Sequence, residues 1–528
     1  MSLRNILFFS LCQPLMAAPF APNHKPVIFR QTTNHTLTNS TQPATNQTQP
    51  ATNSTLPALP AVEWAKKTCK DKGVTDASLE PATRWNSLDT RNALSAANYA
   101  WNHNPVEEGH IRLSYPMMVS NFFQGPEQWN CQDIANVPCS TTIKCDETNY
   151  PAGHFILNSF SRLHQIHQQL NDALNQAQLN IQSQIGTFTS TFTTEFKDDT
   201  AFIKLLLDVL GLSIGLGSAY FWNRVAPVIL KTMTPDTRDL YKDATKAAVT
   251  FGVKQGKEKI PKAKDALGSQ NNLNNAMGVY FQTWRESISA YVDHIFSGKV
   301  GALGDLGRLI GSGGFNYNSG PNLSQMQKRT EAIVFAQLIA TAWKTNPAKK
   351  LYPFIMETDI DCNDSGKAPK DLKNFMDDST AAQAHVCYNG HVYYLLQAVH
   401  RDQPVCHKEC IPNTSAGKFF QTLPGGTFDN LSGDKWAGVR VDDFIVSSVD
   451  AWNANGNKNG YGMPDAETYA ADLTDVDQND LDANFEKVLR APGVYQIPVC
   501  KSSDMSDIAA QVGGSKGKPS GDWWPCNP

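Results

Sequence analysis

The segment from His154 to Phe196 reads HFILNSFSRLHQIHQQLNDALNQAQLNIQSQIGTFTSTFTTEF, and its apolar residues recur at steps of three, four and seven. This spacing places them along one side of an α-helix. The stripe consists of Ile156, Phe160, Leu163, Leu170, Leu174, Ala177, Ile181, Ile185, Phe188, Phe192 and Phe196. We therefore predict a long amphipathic helix, about 65 Å if unbroken, as the spine of the fold. Gly186 and its neighbouring threonines lower helix propensity and favour a break there.

An apolar, glycine-bearing run follows the spine. Residues Val209–Trp222 carry no charge, and Gly211 with Gly215 forms a GxxxG pair. The run is shorter than the roughly 20 residues that a helix needs to cross a bilayer. Two interpretations stay open: a buried helix that packs closely at its glycines, or a segment that enters a membrane after rearrangement.

The rest of the chain predicts a mainly α fold with a smaller, disulfide-stapled α+β region at the C-terminal end. Helical periodicity continues in Met277–Phe296, in the glycine-rich stretch Val300–Gly314 and in Ser324–Lys344. Strand patterns appear later, most clearly in HVCY and HVYYL on either side of Asn389-Gly390. That dipeptide favours a type I′ hairpin turn. Residues 493–500, GVYQIPVC, predict a further strand.

These patterns divide the chain into four expected parts. Residues 1–18 have the charged start, short apolar core and small-residue exit of a signal peptide. Residues 19–60 contain three Thr/Asn/Pro-rich heptapeptides and predict a disordered, glycosylated tail. Residues 61–350 form the mainly helical domain, in which residues 125–151 are a cysteine-rich loop that covers one end of the spine. Residues 351–528 form the disulfide-rich α+β domain.

Cysteine usage and sequons point to a secreted glycoprotein. Ten cysteines remain outside the signal peptide, an even number that indicates disulfides: Cys69, Cys131, Cys139, Cys145, Cys362, Cys387, Cys406, Cys410, Cys500 and Cys526. We expect them to pair within each half of the chain. N-glycosylation is predicted at Asn34, Asn39, Asn46, Asn53, Asn322, Asn363, Asn413 and Asn430. The expected location is therefore extracellular.

Charge and motifs argue against several function classes. The net charge is only −4, so no positive field recruits nucleic acid. The sequence has no HExxH and no P-loop. Two adjacent acid pairs, Asp377/Asp378 and Asp442/Asp443, are candidates for glycosidase carboxylates, although such pairs are usually solvated surface residues. We expect no cofactor.

Metal sites are weakly indicated. His164 and His167 share one side of the spine, but without a visible third ligand we interpret them as partly exposed polar residues. One segment partly matches a calcium loop, with Asp475, Asp477, Asn479 and Glu486 at ligand positions. It lacks the turn glycine, so a helix cap is the competing interpretation.

Several short motifs carry a family resemblance. They are WNC at 129–131 with two following cysteines, YPAGHFILNSF at 150–160, YPFI at 352–355 and CYNGHVYYL at 387–395. Over about residues 80–500 the chain resembles secreted, cysteine-containing glycoproteins of filamentous fungi whose shared domain has no assigned function. This resemblance implies secretion and brings no catalytic residues.

We therefore expect a non-enzymatic extracellular protein that acts by contact. Its partner is open, and the apolar glycine-rich segment makes a cell surface or a lipid membrane the first candidate. Two alternatives remain: a secreted hydrolase with a carboxylate-based site, and an inert component of the cell wall or matrix.

Overall fold

The computed structural model describes residues 62–103, 113–192, 273–311, 313–316, 323–344, 351–364, 366–399, 418–462, 486–512 and 523–526. All of them belong to one compact unit, Leu59–Pro528. The expected signal peptide and tail lie outside the described residues, as does the apolar run Val209–Trp222. The domain boundary expected near residue 350 stays a prediction.

The N-terminal part of this unit consists of short helices. A 3-10 turn at Val62–Lys66 precedes four α-helices: α1 (Lys72–Thr75), α2 (Pro81–Ser87), α3 (Thr90–His103) and α4 (Tyr115–Phe122). Proline is at the first helical position of α2 and near the start of α4, where a missing N–H costs nothing. The buried faces of α3 and α4 pack on the next helix, α5.

Helix α5, Pro151–Phe192, is the predicted spine. Its 42 residues make it about 63 Å long. Every member of the predicted apolar stripe up to Phe192 is buried; Phe196 lies outside the described residues. The helix continues through Gly186, so the break favoured there is wrong. Packing overrides the low local propensity, because Phe188 and Phe192 pack edge-to-face against Trp436, with ring centroids 6.1 and 5.0 Å from it.

Three further helices surround the spine: α6 (Leu273–Ile295), α7 (Val300–Ile310) and α8 (Leu323–Lys344). Helices α6 and α8 pack along α5, and α7 contacts both α5 and α6. Side chains between the helices are partly polar. Asn180 donates a 2.7 Å hydrogen bond to the buried Glu331 of α8, and Arg285 of α6 donates a 2.9 Å bond to Asn175.

The C-terminal part contains a five-stranded mixed sheet. Its strands are β1 (Leu351–Asp361), β2 (His385–Tyr388), β3 (His391–Val399), β4 (Phe420–Thr422) and β5 (Val499–Lys501). The order is β2-β3-β1-β5, and β4 also pairs with β3. All pairs are antiparallel except β1 with β5. This arrangement confirms the predicted class: mainly α, with a smaller disulfide-bonded α+β region.

Both faces of the sheet are covered. One face, which includes Ile355, Tyr393 and Leu395, joins the large hydrophobic core that also contains the spine, and helix α10 (Val441–Ala454) packs on it. The other face, which includes Phe354 and Tyr394, forms a second core with helices α9 (Asp378–Ala384) and α11 (Met505–Val512). The helical region and one face of the sheet therefore share a hydrophobic core, and the other face has a core of its own.

The predicted hairpin is confirmed, whereas the strand predicted at residues 493–500 is mostly wrong. Asn389 and Gly390 have φ values of 49° and 83°, as a type I′ turn requires. In the second segment Gly493 and Gln496 also have positive φ, and only the last two residues enter β5. Positive φ interrupts an extended strand, and alternating apolar residues alone did not reveal it.

Disulfide bonds are confirmed for eight cysteines. The pairs are Cys69–Cys145, Cys131–Cys139, Cys362–Cys387 and Cys500–Cys526. Each pair joins cysteines from the same half of the chain, as expected. Cys406 and Cys410 lie outside the described residues.

His164 and His167 are buried, which corrects their interpretation as partly exposed residues. They are 0% and 2% exposed. The His167 ring packs against Tyr291 of α6 at a centroid distance of 5.2 Å, and its Nδ1 lies 2.7 Å from the carbonyl oxygen of Leu163. Burial lowers the pKa of His167 to about 4. His167 is buried because α6 packs on a side of α5 that lies outside the predicted apolar stripe.

The glycines of α7 do not mediate close helix contact among the described residues. Added Cβ atoms at Gly301, Gly304 and Gly307 would meet nothing within 4 Å. The buried side of α7 consists of Ala302, Leu303, Leu306, Leu309 and Ile310 instead. Gly298, by contrast, has φ +70° in the turn before α7, where a Cβ would clash with Trp101. Of the helices in the described ranges, none has both the length and the apolar character needed to cross a bilayer.

We expect Gly304→Ala and Gly307→Ala each to stabilise the protein by about 1 kcal/mol, because alanine lowers the entropy cost of helix formation and has room here. Thermal or urea unfolding measures this. Gly153→Ala is the matched control and should destabilise, because its Cβ would lie 2.6 Å from Phe123. Destabilisation by Gly304→Ala would show that another segment packs on this face.

We also expect acid to weaken the fold through His167. Its pKa is lowered from 6.5 to about 4, so its stabilising contribution is complete above pH 6.5 and is lost as the pH falls towards 4. The loss over this window is about 3 kcal/mol. Unfolding free energies measured against pH should fall less steeply in His167→Gln than in wild type. Equal slopes would contradict the assignment.

Candidate functional site

A shallow surface groove lies between the cysteine-rich loop and helix α6. Its volume is about 530 Å³, within the range of small-molecule sites. Six of its seven lining residues are polar; the lining consists of Asn130, Gln132, Asp133, Glu286, Ser289, Ala290 and Asp293. Three of these residues are acidic and none is cationic. We call this feature the polar groove.

The loop wall of the polar groove is held by side chains from α5. Asn158 donates to the carbonyl oxygen of Ile143 (2.8 Å) and accepts from its N–H (2.9 Å). Ser161 donates a 2.8 Å bond to the carbonyl oxygen of Thr141. The Cys131–Cys139 disulfide closes the loop itself. The polar residues beside the apolar stripe therefore fix the loop backbone, so this wall is preformed.

His164 makes two further contacts with the same loop. Its Nε2 lies 2.9 Å from the carbonyl oxygen of Asp133, and its Nδ1 lies 3.0 Å from Ser140 Oγ. Ser140 Oγ also donates a 2.7 Å bond to Gln168 Oε1. Burial lowers the pKa of His164, and the nearby Asp133 acts in the opposite direction. A buried histidine thus lies directly behind one groove residue.

The helix wall is one face of α6. Glu286, Ser289, Ala290 and Asp293 are spaced i, i+3, i+4 and i+7, and therefore line up over about 10 Å. Gln132 of the loop donates a 2.7 Å hydrogen bond to Asp293, which joins the two walls. Glu286 accepts a 3.0 Å bond from Gln282. The groove therefore offers carboxylate, amide and hydroxyl groups to a ligand rich in donors.

A second polar cluster lies at the edge of the α10–sheet interface. Tyr388 of β2 donates a 2.7 Å hydrogen bond to Asp450 of α10. Tyr393 of β3 pairs in register with Glu357 of β1, so their side chains share one face of the sheet. Burial raises the pKa of Tyr393 to about 12, and the charges of Glu357 and Asp450 add to this shift. Burial also raises the pKa of Asp450.

The acid pairs singled out from the sequence have structural contacts. Asp377 caps α9 by accepting a 2.8 Å bond from the Thr380 N–H, which lowers the pKa of Asp377. Asp443 accepts from the Arg440 N–H at 2.8 Å and from Arg490 at 3.0 Å. Burial nevertheless raises the pKa of Asp443 to about 6. Asp378 accepts a 3.0 Å bond from the Ala368 N–H, and Asp442 lies 3.6 Å from Arg490. Each member of both pairs therefore has a structural contact.

The remaining predicted sites are only partly described. Glu486 forms ion pairs with Arg490 at 3.2 Å and Arg440 at 3.9 Å. The other calcium-loop candidates lie outside the described residues, so that site stays a prediction. Within the ranges given above, no cluster of three or more His, Cys, Asp or Glu side chains is arranged to hold a metal.

Two of the predicted glycosylation sites fall on described residues. Asn363 is exposed beside the Cys362–Cys387 disulfide, whereas Asn430 is half-buried. The other six sequons lie outside the described ranges. Glycosylation therefore stays a prediction, which the accessibility of Asn363 favours.

Sequence reasoning did not find either polar cluster. The helix wall had a readable pattern, a polar i, i+3, i+4, i+7 face on a predicted helix, but such faces usually contact only solvent. Loop and helix are more than 150 residues apart in the chain, and only the fold brings Gln132 to Asp293. The Tyr388–Asp450 contact is likewise created by the packing of α10 on the sheet.

Comparison with known proteins gives two fungal relatives, one of which is named as secreted. Probable chitinase LysM18 of Penicillium expansum is 26% identical over 507 residues, which cover 88% of this chain and 33% of the relative. Secreted chitinase LysM12 of the same fungus is 23% identical over 519 residues, which cover 88% of this chain and 32% of the relative. No family model matches the chain. No solved structure matches it either.

The chain therefore spans about a third of the length of these two relatives. The expected likeness to secreted fungal proteins is confirmed at this general level. A relative named as secreted, together with four disulfides, also agrees with the predicted extracellular location. The chain is thus an extracellular protein that is similar, along most of its length, to one part of two fungal chitinases.

Proposed function

We propose that this chain is a non-catalytic, polysaccharide-contacting region that works alongside chitin-directed activity outside the cell. The observation that carries the proposal is the preformed polar groove on a chain that two chitinases match over 88% of its length. The proposal refines the expectation of a protein that acts by contact. Its target is a wall polysaccharide rather than a lipid.

The chemistry of the polar groove suits a sugar polymer. Hydroxyl and acetamido groups need several hydrogen-bond partners, and the groove supplies the amides of Asn130 and Gln132 and the carboxylates of Asp133, Glu286 and Asp293. The loop wall is already ordered by α5. Little conformational entropy is therefore lost when a ligand binds.

The openness of the groove favours binding over hydrolysis. Glycosidases place two carboxylates on opposite sides of the scissile bond, and one of them must deliver a proton. In the polar groove Asp293 accepts a hydrogen bond from Gln132, and Glu286 accepts one from Gln282. Glu286, Ser289 and Asp293 are exposed. These groups are placed as hydrogen-bond acceptors on a surface that water reaches.

We expect the protein to bind N-acetylglucosamine oligomers, and Glu286→Gln and Asp293→Asn to weaken binding at least about tenfold, because each replaces an anionic acceptor. Isothermal titration calorimetry measures this. Asp359→Asn, an exposed acid on β1, is the charge-matched control and should bind as wild type does. Failure of wild type to bind chitin or its oligomers would overturn the proposal, as would full affinity in both groove variants.

A hydrolase centred on Asp450 is the second candidate. Both relatives are named chitinases, and Asp450 combines a raised pKa with a tyrosine partner and with Glu357 nearby. A carboxyl group with a raised pKa can serve as a general acid while a second carboxylate assists. This candidate preserves the carboxylate-based alternative considered from the sequence.

On this second candidate, wild type should release shorter sugars from N-acetylglucosamine oligomers, and Asp450→Asn should lower the rate at least about a hundredfold because the general acid is lost. Chromatography of the products measures the rate. Asp442→Asn, on the same helix, should keep full activity. Absence of turnover by wild type would remove the candidate and would leave the binding proposal intact.

A further inference from the structure

The hydrogen bonds around His164 restrict where protons can lie. Asp133 contributes a carbonyl oxygen, which only accepts, so His164 Nε2 must carry a hydrogen. Ser140 has a single hydroxyl hydrogen, but its Oγ contacts both His164 Nδ1 and Gln168 Oε1. Only one of these two contacts can use the serine hydrogen.

Two complete arrangements satisfy this restriction. In the first, Ser140 donates to Gln168 Oε1, and His164 Nδ1 carries a hydrogen that it donates to Ser140; the imidazole is then cationic. In the second, Ser140 donates to a neutral His164, and the Gln168 amide is turned so that its NH₂ group donates to Ser140. Rotation of one hydroxyl and one amide therefore accommodates the extra proton without loss of a hydrogen bond.

Groups around His164 act in opposite directions on its protonation. Burial favours the neutral ring, whereas Asp133 favours the cation. Across the polar groove, α6 contributes the carboxylates of Glu286 and Asp293. A proton on His164 thus places a positive charge directly behind an acidic groove.

We propose that His164 is a positioning residue that holds the loop wall of the polar groove in both protonation states, and that its protonation controls which sugars the groove prefers. The part concerning sugars rests on the proposed function. An added charge behind the groove repels an amine-bearing glucosamine unit and leaves a neutral N-acetylglucosamine unit almost unaffected. By reciprocity, a bound glucosamine oligomer should oppose protonation of His164.

The protonation step can be tested without a ligand by ¹⁵N NMR of the histidine rings. We expect His164 to titrate reversibly in the folded protein, with the backbone amides of Gln132 and Ser140 following the same midpoint. Ser140→Ala removes the acceptor of the Nδ1 hydrogen and should shift the His164 midpoint to lower pH. Gln168→Glu supplies an acceptor that fits only the cationic arrangement and should shift it to higher pH.

His167 is the internal control, because its Nδ1 contacts the Leu163 carbonyl oxygen rather than Ser140. The charge on His164 lowers the pKa of His167, so the His167 midpoint should shift much less than the His164 midpoint in either variant. A His164 midpoint unchanged in both variants, or loop amides that ignore the titration, would overturn the proposal. A merely structural histidine would not give opposite shifts in the two variants.

The second arm measures binding of glucosamine and N-acetylglucosamine oligomers at pH 7.5 and at a pH below the His164 midpoint. The glucosamine amine gains its own proton as the pH falls, so wild type is compared with His164→Gln at each pH. At the lower pH, wild type should bind glucosamine oligomers, relative to N-acetylglucosamine oligomers, about fivefold more weakly than His164→Gln does. Equal relative affinities in the two proteins would contradict the selectivity role. If neither oligomer binds at any pH, the proposed function fails, while the NMR result still decides whether His164 holds the loop in both states.

Discussion

Burial of the apolar stripe of α5 is the interaction on which the rest of the structure depends. Most helical stability in proteins comes from tertiary packing of an amphipathic face, and α5 has such a face along its whole length. The N-terminal half of α5 packs against α3, α4 and the cysteine-rich loop, and its C-terminal half packs against α8 and Trp436. One helix thereby joins the helical region and the sheet region into a single large core.

The polar flanks of the same helix organise the candidate site. Asn158, Ser161 and His164 bind the loop backbone, so the loop wall of the polar groove inherits the rigidity of the spine. The opposite wall belongs to α6, whose apolar side packs on α5. A groove built in this way is positioned by the core on both sides. This explains how a shallow surface can still present fixed hydrogen-bonding groups.

The described carboxylates differ in exposure and in hydrogen-bond partners, and these differences underlie the proposed function. Acids in the polar groove are exposed acceptors, Asp377 and Asp443 accept from backbone N–H groups at helix starts, and the half-buried Asp450 accepts from a tyrosine hydroxyl. A similarity that covers a third of two chitinases fits an accessory region that contacts polysaccharide. Both relatives are named chitinases, so the Asp450 cluster is a second candidate site. Asp450 has a raised pKa and accepts a hydrogen bond from Tyr388, and a general acid needs such a raised pKa.

The amino-acid sequence by itself determined the spine helix, the Asn389-Gly390 hairpin, the mainly α class and the within-half disulfides, because helical period, turn chemistry and cysteine context act over short distances or on composition. It did not determine the burial of His164 and His167 or the continuity of α5 through Gly186. Only the tertiary structure decided those features, as it decided the pairing of Gln132 with Asp293 and of Tyr388 with Asp450. Each depends on which distant segment covers a given face, and residue spacing contains no information about that partner.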